Sequence, residues 1–149
     1  MRAKSGFTLV EILIVVVILG ILAAIVIPQF TDASEQAKES SLVSDLQTMR
    51  SQIELYKIQH KGTLPGEGGA SIELAITSLT DVEGDAAAAP GVGVYGPYMQ
   101  KLPMNPFTNG RGINGAAADG SVQGWTLDIT PTSATYGYFA ASDPCHSGL

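Results

Sequence analysis

The sequence predicts an α+β fold, in which a long N-terminal helix packs on a small head with a short antiparallel sheet. Three observations carry this prediction. An unbroken apolar run lies near the start, a single apolar stripe at helical spacing follows it, and short segments with strand-like alternation come near the end. With 149 residues, the chain has room for one head domain. We therefore expect the helix to be transmembrane in its first half and an amphipathic stem in its second.

The composition narrows the classes of function. There are 14 acidic residues against 8 basic ones, a formal net charge of −6, which argues against a nucleic-acid partner because such proteins carry a basic stripe. The single cysteine, Cys145, excludes an internal disulfide and a cysteine-rich zinc site. Two histidines leave little material for a histidine-based metal site.

The apolar run is long enough to cross a bilayer. Residues 12–27 are sixteen consecutive Ile, Leu, Val, Ala and Gly, and extension back to Phe7 gives 21 residues in which Glu11 is the only charge. As a helix, such a segment spans roughly 30 Å, the thickness of the hydrocarbon core. Arg2 and Lys4 precede it, and this positive flank predicts a cytoplasmic start with the rest of the chain beyond the membrane.

Three kinds of N-terminal segment are consistent with a basic start and an apolar run. A secretory signal needs a small-x-small cleavage site, and Thr31-Asp32-Ala33 is a poor one. A plain signal anchor leaves Glu11 unexplained, because a carboxylate at the centre of a membrane helix costs about 2–3 kcal/mol and by default indicates a function. The third possibility is cleavage ahead of the apolar run, between Gly6 and Phe7.

Residues 4–11, KSGFTLVE, resemble the class III signal of type IV pilins and pseudopilins. In that family a membrane peptidase cuts after the glycine on the cytoplasmic side and N-methylates the new terminus. The resemblance implies that 1–6 is a leader and that Phe7 is the mature N-terminus. It also implies an assembly role for Glu11 and for Pro28, since pilins of this family carry a proline at the same distance from the cut.

The position of Glu11 has a physical explanation within this resemblance. Cleavage would create a positively charged amine at Phe7, and a carboxylate nearby can neutralise it when both are buried among packed helices. Because subunits are displaced axially, Glu11 of one subunit can reach the Phe7 amine of the next. An incidental glutamate near the lipid headgroups is the alternative. The expected partners are further copies of the chain through their N-terminal helices, the prepilin peptidase and methyltransferase, minor pilins or pseudopilins, and an inner-membrane assembly platform.

The predicted stem covers residues 31–61 and shows one apolar face. Its apolar positions are spaced 4, 3, 4 and 3 residues apart, at Leu42, Leu46, Met49, Ile53 and Tyr56. The stem is expected to end near His60, Lys61 and Gly62, with His60 as a surface residue at the helix terminus rather than a ligand. Pro28 is expected to kink or loosen the helix near the membrane edge.

The head, 62–149, is predicted to contain one short helix and a few short strands. Residues 71–79 place Ile72, Ile76 and Leu79 on one helical face, with Ser71 as the N-cap. Trp125–Ile129 and Thr135–Ala141 are the strand candidates.

A second resemblance lies within the head. Residues 96–107, GPYMQKLPMNPF, resemble a stretch of type II secretion major pseudopilins that contains Gly-Pro-Tyr, a basic residue, Leu-Pro and a polar-Pro-aromatic unit. The family pattern has Asp and Trp where this chain has Asn105 and Phe107. The prolines predict a turn-rich loop.

The sequence predicts no catalytic site, and calcium is the one cofactor that it leaves open. It contains no G-x-S-x-G, H-E-x-x-H or P-loop motif, and the neighbouring Cys145 and His146 have no third residue to orient them. Major pseudopilins often bind calcium in an acidic loop near the C-terminus. The candidates here, Asp119, Asp128 and Asp143, are separated in sequence and form no such loop.

The resemblance implies a structural function. We expect a single-pass subunit of the bacterial inner membrane with a periplasmic head, which assembles as the major pseudopilin of a type II protein secretion system. The alternative is a type IV pilus major pilin that acts in adhesion, motility or DNA uptake.

Overall fold

The predicted α+β class is confirmed. The computed structural model describes residues 6–67, 70–84, 95–115, 120, 122–146 and 148, so that of the predicted leader 1–6 only Gly6 is described. The elements in chain order are α1 Leu9–Gln59, α2 Ile72–Thr77, β1 Gly112–Ile113, β2 Gln123–Leu127 and β3 Phe139–Ala141. Contacts divide the chain into two units, Met1–Ala37 and Lys38–Leu149.

The first unit contains the predicted apolar run, which forms the first part of α1. Within the described residues, α1 is the helix long and apolar enough to cross a membrane, with a mean hydropathy of 3.3 in its most apolar window. Its large side chains are exposed, including Ile14, Ile18 and Leu22. Pro28 lies inside α1 without ending it. The expected kink at this proline stays a prediction.

The second unit is held together by the predicted stripe on α1. The five buried residues of α1 are the five predicted: Leu42, Leu46, Met49, Ile53 and Tyr56. Four of them join a buried cluster with residues of α2, of β2 and β3, and of the loops; its largest members outside α1 include Ile76, Trp125, Leu127 and Phe139. Arg50 adds a polar contact, because its Nε and Nη2 donate to the Phe139 carbonyl at 3.1 and 2.9 Å.

The short helix α2 begins as predicted and ends early. Ser71 is the N-cap, and its hydroxyl accepts from the Leu74 amide at 3.2 Å. Ser78 is extended (φ −115°, ψ 173°) and closes the helix after Thr77. Leu79 therefore falls outside the helical period and is half-exposed, which corrects its predicted place on the buried face.

The sheet has three strands in the order β1-β2-β3 and is mixed. β2 and β3 pair antiparallel, as predicted, with Trp125 opposite Ala141 and Leu127 opposite Phe139. β1 was not predicted, and it pairs parallel to β2 with an irregular register. The first predicted strand, Trp125–Ile129, has the right length but lies two residues too late, and the second, Thr135–Ala141, is four residues too long at its start, because residues 128–138 form turns between β2 and β3.

Asp128 holds the turn that follows β2. Its Oδ1 accepts from the Thr130 amide at 2.9 Å, and its Oδ2 accepts from the Thr135 hydroxyl at 2.6 Å. Hydrogen bonds from Ser133, Thr135 and Thr130 lower the pKa of Asp128 to about 2, because they stabilise the ionised carboxylate.

Truncation of the buried stripe should destabilise the head. Leu46→Ala removes a side chain that is 1% exposed, and a leucine-to-alanine change in a core costs about 2–5 kcal/mol. The matched control is Ile58→Ala on the same helix, where the side chain is 78% exposed and the change should fall within about 0.5 kcal/mol. Denaturant unfolding followed by Trp125 fluorescence measures both. Equal effects of the two variants would contradict the stem packing.

Asp128 should stabilise the head only while it is ionised. Because its folded pKa is about 2, below the ordinary 3.8, its contribution is present above pH 3.8 and is lost as the pH falls toward 2. Asp128→Asn should therefore unfold more readily than the parent at pH 7, and the difference should disappear at the acid end. Asp45→Asn is the control: burial raises the pKa of Asp45, so this variant should not lose stability at pH 7.

Candidate functional site

Gly6 and Phe7 are the predicted cleavage pair, and both are open in the structure. Phe7 is 83% exposed. A Cβ atom built at Gly6 meets nothing within 4 Å, so the glycine is not required by packing of this chain. A peptidase needs an accessible junction.

Glu11 caps the first turn of its own helix. Its Oε2 accepts from the backbone amide and from the hydroxyl of Thr8, both at 2.8 Å, while the Glu11 amide donates to the Thr8 hydroxyl at 3.3 Å. This reciprocal arrangement is a capping box, which satisfies donors left free at a helix start. This capping box was not predicted, although a Thr and a Glu three residues apart ahead of an apolar run are its signature.

The cap leaves room for the predicted assembly role of Glu11. Both bonds from Thr8 end on the same oxygen, Oε2. A second donor can therefore approach Oε1 without breaking the cap. Self-capping and pairing with a neighbour's amine are geometrically compatible functions of one carboxylate.

Pro28 lies within a stretch of α1 where backbone hydrogen bonding is altered. As a proline it donates no backbone hydrogen bond, so one bond of the helical ladder is missing. One turn later, the Thr31 hydroxyl donates to the Ile27 carbonyl at 3.2 Å, a bond of the kind that bends helices slightly. The missing bond at Pro28 therefore lies near the end of the apolar run, within a helix that continues to Gln59.

His60 is buried, which corrects its predicted place at the surface. Its side chain is 0% exposed and stacks on the Tyr56 ring, with centroids 3.7 Å apart. Nδ1 lies 2.8 Å from the Tyr56 carbonyl, and Nε2 lies 2.9 Å from the Thr80 hydroxyl. His60 follows Tyr56 by four residues and so continues the buried stripe, which is the signal that was available in the sequence.

The stretch 96–107 contacts both helices of the head. Gly96 has φ 83°, and a Cβ there would lie 2.8 Å from the Ser78 carbonyl, so the turn requires glycine. The Tyr98 hydroxyl donates to Gln59 Oε1 at 2.6 Å, and the Tyr98 amide donates to the Ile76 carbonyl at 3.0 Å. The loop predicted from the prolines is therefore fixed to the ends of α1 and α2.

Asn105 and Phe107, where this stretch departs from the family pattern, meet the residues near the end of the chain. Asn105 is 0% exposed, and its Nδ2 donates to Asp143 Oδ1 at 3.3 Å. The Phe107 ring stacks on His146, with centroids 4.2 Å apart. None of these contacts was predicted, because the residues are more than 35 positions apart in sequence.

The two calcium candidates that the structure describes bind different partners. Asp128 binds its own turn and Asp143 pairs with His146, while Asp119 lies outside the described residues. Among the described residues, no three His, Cys, Asp or Glu side chains come together as a metal site. Cys145 is exposed, and the His146 Nδ1 beside it is engaged by Asp143 at 2.5 Å.

Known proteins match both the N-terminal segment and most of the chain. Residues 1–27 match the family model described as "Prokaryotic N-terminal methylation motif". Type II secretion system core protein G of Aeromonas hydrophila is 34% identical over 110 residues, which cover 72% of this chain and 71% of that protein. The protein of the same name from Klebsiella pneumoniae is 34% identical over 107 residues, covering 72% and 71%.

The match extends further along the chain in a third relative. Type II secretion system core protein G of Vibrio cholerae serotype O1 is 31% identical over 127 residues, which cover 85% of this chain and 82% of that protein. No solved structure matches this chain. Together with a prepilin-type motif at the start, a long helix and an α+β head, these relatives confirm the resemblance: the chain belongs to the type II secretion system core protein G family, the major pseudopilins.

Proposed function

We propose that this chain is a structural, non-enzymatic subunit that polymerises through its N-terminal helix into the periplasmic pseudopilus of a type II secretion system. The observation that supports the proposal is the exposed apolar stretch of α1, which contains one charge near its start, the capping residue Glu11. Family membership supports it, because the named relatives are core proteins of that secretion system.

The exposed apolar stretch requires a cover that the chain itself does not provide. Its branched and aliphatic side chains are half-exposed or more from Leu9 to Ile25. In water such a surface is strongly unfavourable, at about 25 cal/mol per Å² of apolar area. We infer two successive covers: lipid, when the subunit rests in the inner membrane, and the helices of neighbouring copies once it enters the filament.

The orientation follows from the charges that flank this segment. Arg2 and Lys4 precede it, and positive flanks remain cytoplasmic. The segment from 62 onward is then the periplasmic head, the segment 31–61 is the stem, and 7–30 is the transmembrane and assembly helix. The proposed partners are further copies of this chain, the prepilin peptidase and methyltransferase, minor pseudopilins and an inner-membrane assembly platform.

Glu11 is proposed to direct assembly. A carboxylate in an apolar helix is expensive by itself, and pairing with the N-methylated amine of a neighbour's Phe7 removes most of that cost. The pairing is satisfied at one axial displacement only, so it selects the register between subunits. A type IV pilus subunit would use the same device, and the secretion role is preferred because the named relatives are secretion proteins.

Processing between Gly6 and Phe7 should produce a chain of 143 residues that begins at N-methylated Phe7. Loss of the leader removes Arg2 and Lys4, so the formal side-chain charge changes from −6 to −8. Intact-mass analysis of assembled filaments measures the terminus directly. Gly6→Leu should stop cleavage, because a bulky side chain obstructs entry of the extended backbone into the peptidase.

Two observations separate the outcomes of this processing experiment. Gly6→Ala is the matched control and should still be cleaved, if slowly. Filaments built from subunits that retain residues 1–6 would contradict the proposal, since the basic leader should resist extraction from the bilayer.

The charge of Glu11, rather than its cap, should be needed for assembly. Glu11→Gln retains a side chain able to cap Thr8 and removes the charge. We expect this variant to insert in the membrane at the parent level and to form at least tenfold fewer filaments, because the neighbour's amine is left buried without a counter-charge. Membrane fractionation and electron microscopy of sheared filaments measure the two quantities.

Thr8→Ser is the control for the cap, since it keeps both hydrogen bonds and the charge and should assemble normally. Normal filament yield from Glu11→Gln would show that the carboxylate acts only as a cap, and the pairing mechanism would be wrong. Loss of membrane insertion in the same variant would also contradict it.

A further inference from the structure

Asn105 closes the loop that contains it. Its backbone amide donates to the Gly110 carbonyl at 2.9 Å, and its Oδ1 accepts from the amides of Phe107 at 2.9 Å and Thr108 at 3.3 Å. The side chain is wholly buried. Two bonds to the Asn105 side chain and one from its backbone amide therefore hold residues 105–110, which we call the Asn105 loop.

The other end of the same amide binds two distant segments. Nδ2 donates to the Gly124 carbonyl in β2 at 2.9 Å and to Asp143 Oδ1 at 3.3 Å. The loop, the sheet and the segment 142–146 consequently meet at one side chain. Only an amide can do this, because it offers an acceptor to the loop and two donors to the other segments.

Asp143 and His146 complete a closed circuit with the loop. Asp143 Oδ2 accepts from His146 Nδ1 at 2.5 Å, and the imidazole ring stacks on Phe107 with an interplanar angle of 24°. The side chains of Asp143 and His146 are only 9% and 18% exposed. The Phe107 backbone amide donates to Asn105 Oδ1, which closes the circuit of contacts.

The carboxylate of Asp143 is stabilised within this circuit. Burial by itself raises the pKa of Asp143, but hydrogen bonds from His146 and Asn105 and the charge of His146 outweigh burial, so the pKa is lowered. The groups that act on it are His146, the Asn105 amide and its own backbone amide, all of which favour the ionised form. The hydrogen bonds of this circuit therefore stabilise a negative charge on the Asp143 carboxylate.

We propose that Asp143 and His146 form a clasp that fastens the segment 142–146 over the Asn105 loop, and that this clasp requires an uncharged amide at position 105. The inference concerns the stability of the head and does not depend on filament assembly. A carboxylate at 105 would face Asp143 Oδ1 at the 3.3 Å of the present bond and would lose the donor to Gly124. Two carboxylates at such a distance repel, and one of them must become protonated.

The test is a charge-rescue cycle in the full chain in detergent micelles at pH 7. Trp125, the only tryptophan, is the probe, because it is buried in β2 and its Nε1 donates to the Pro103 carbonyl at 3.0 Å, two residues before Asn105. Asn105→Asp should lower the folding equilibrium constant by about ten- to a hundredfold, the effect of losing hydrogen bonds to a charged group. Adding Asp143→Asn should recover about tenfold, because one carboxylate and one amide again face each other.

The matched control adds Asp128→Asn to Asn105→Asp. It also exchanges a carboxylate for an amide, but in a turn that holds neither Asn105 nor Asp143. Because Asp128→Asn is itself expected to destabilise the head at pH 7, this double variant should be less stable than Asn105→Asp, with no recovery. Recovery by Asp128→Asn equal to that by Asp143→Asn would overturn the proposal, since it would reflect net charge alone. So would a stable Asn105→Asp single variant, or purely additive effects in the cycle.

A milder variant keeps the proposal testable if Asn105→Asp fails to fold. His146→Phe preserves a ring that can stack on Phe107 and removes only the donor to Asp143. We expect amide hydrogen exchange in residues 142–146 and 105–110 to accelerate by about tenfold or more, while exchange in the stem segment 42–56 stays unchanged. Unchanged exchange in both 142–146 and 105–110 would show that the pair fastens nothing.

Discussion

The burial of the stem stripe is the contact on which the head depends. The sheet has three short strands, one of them only two residues long, and so small a sheet is not stable by itself. Four side chains of α1 supply the apolar surface that β2, β3 and α2 lack. Arg50 adds two hydrogen bonds to the Phe139 carbonyl, so the stem also satisfies the backbone of β3.

Buried polar side chains fix the loops of the head that lie outside the apolar core. In the described parts of the loops between α2 and β2, few apolar residues are buried, and hydrogen bonds from buried side chains fix the position of these parts. His60 links the end of α1 to Thr80, and Asn105 links its own loop to β2 and to Asp143. A buried amide or imidazole with its partners in place is stabilising, whereas one without partners is costly, so each of these side chains specifies a single arrangement of its loop.

The apolar stretch of α1 differs from the head, because its side chains are exposed and need lipid or other protein chains to cover them. Its side chains face outward on all sides, and its one charge, Glu11, is committed to the helix cap through a single oxygen. A surface of this kind suits a subunit that passes from lipid into contact with copies of itself. In the proposed filament, Glu11 then provides specificity, and the apolar side chains provide most of the favourable free energy.

Local patterns in the sequence determined the helices, the stem stripe, the Ser71 cap and the family of this chain, because helical period, capping and the KSGFTLVE motif are all read within a few residues. Local patterns also predicted the strand pair β2–β3, although they did not give the residues at which these strands begin and end. Only the tertiary structure decided the burial of His60, the parallel pairing of β1, and the meeting of Asn105 with Asp143. These contacts join residues 10 to 40 positions apart. No local preference encodes them, because the energy of a buried hydrogen bond depends on which distant group the completed core brings to it.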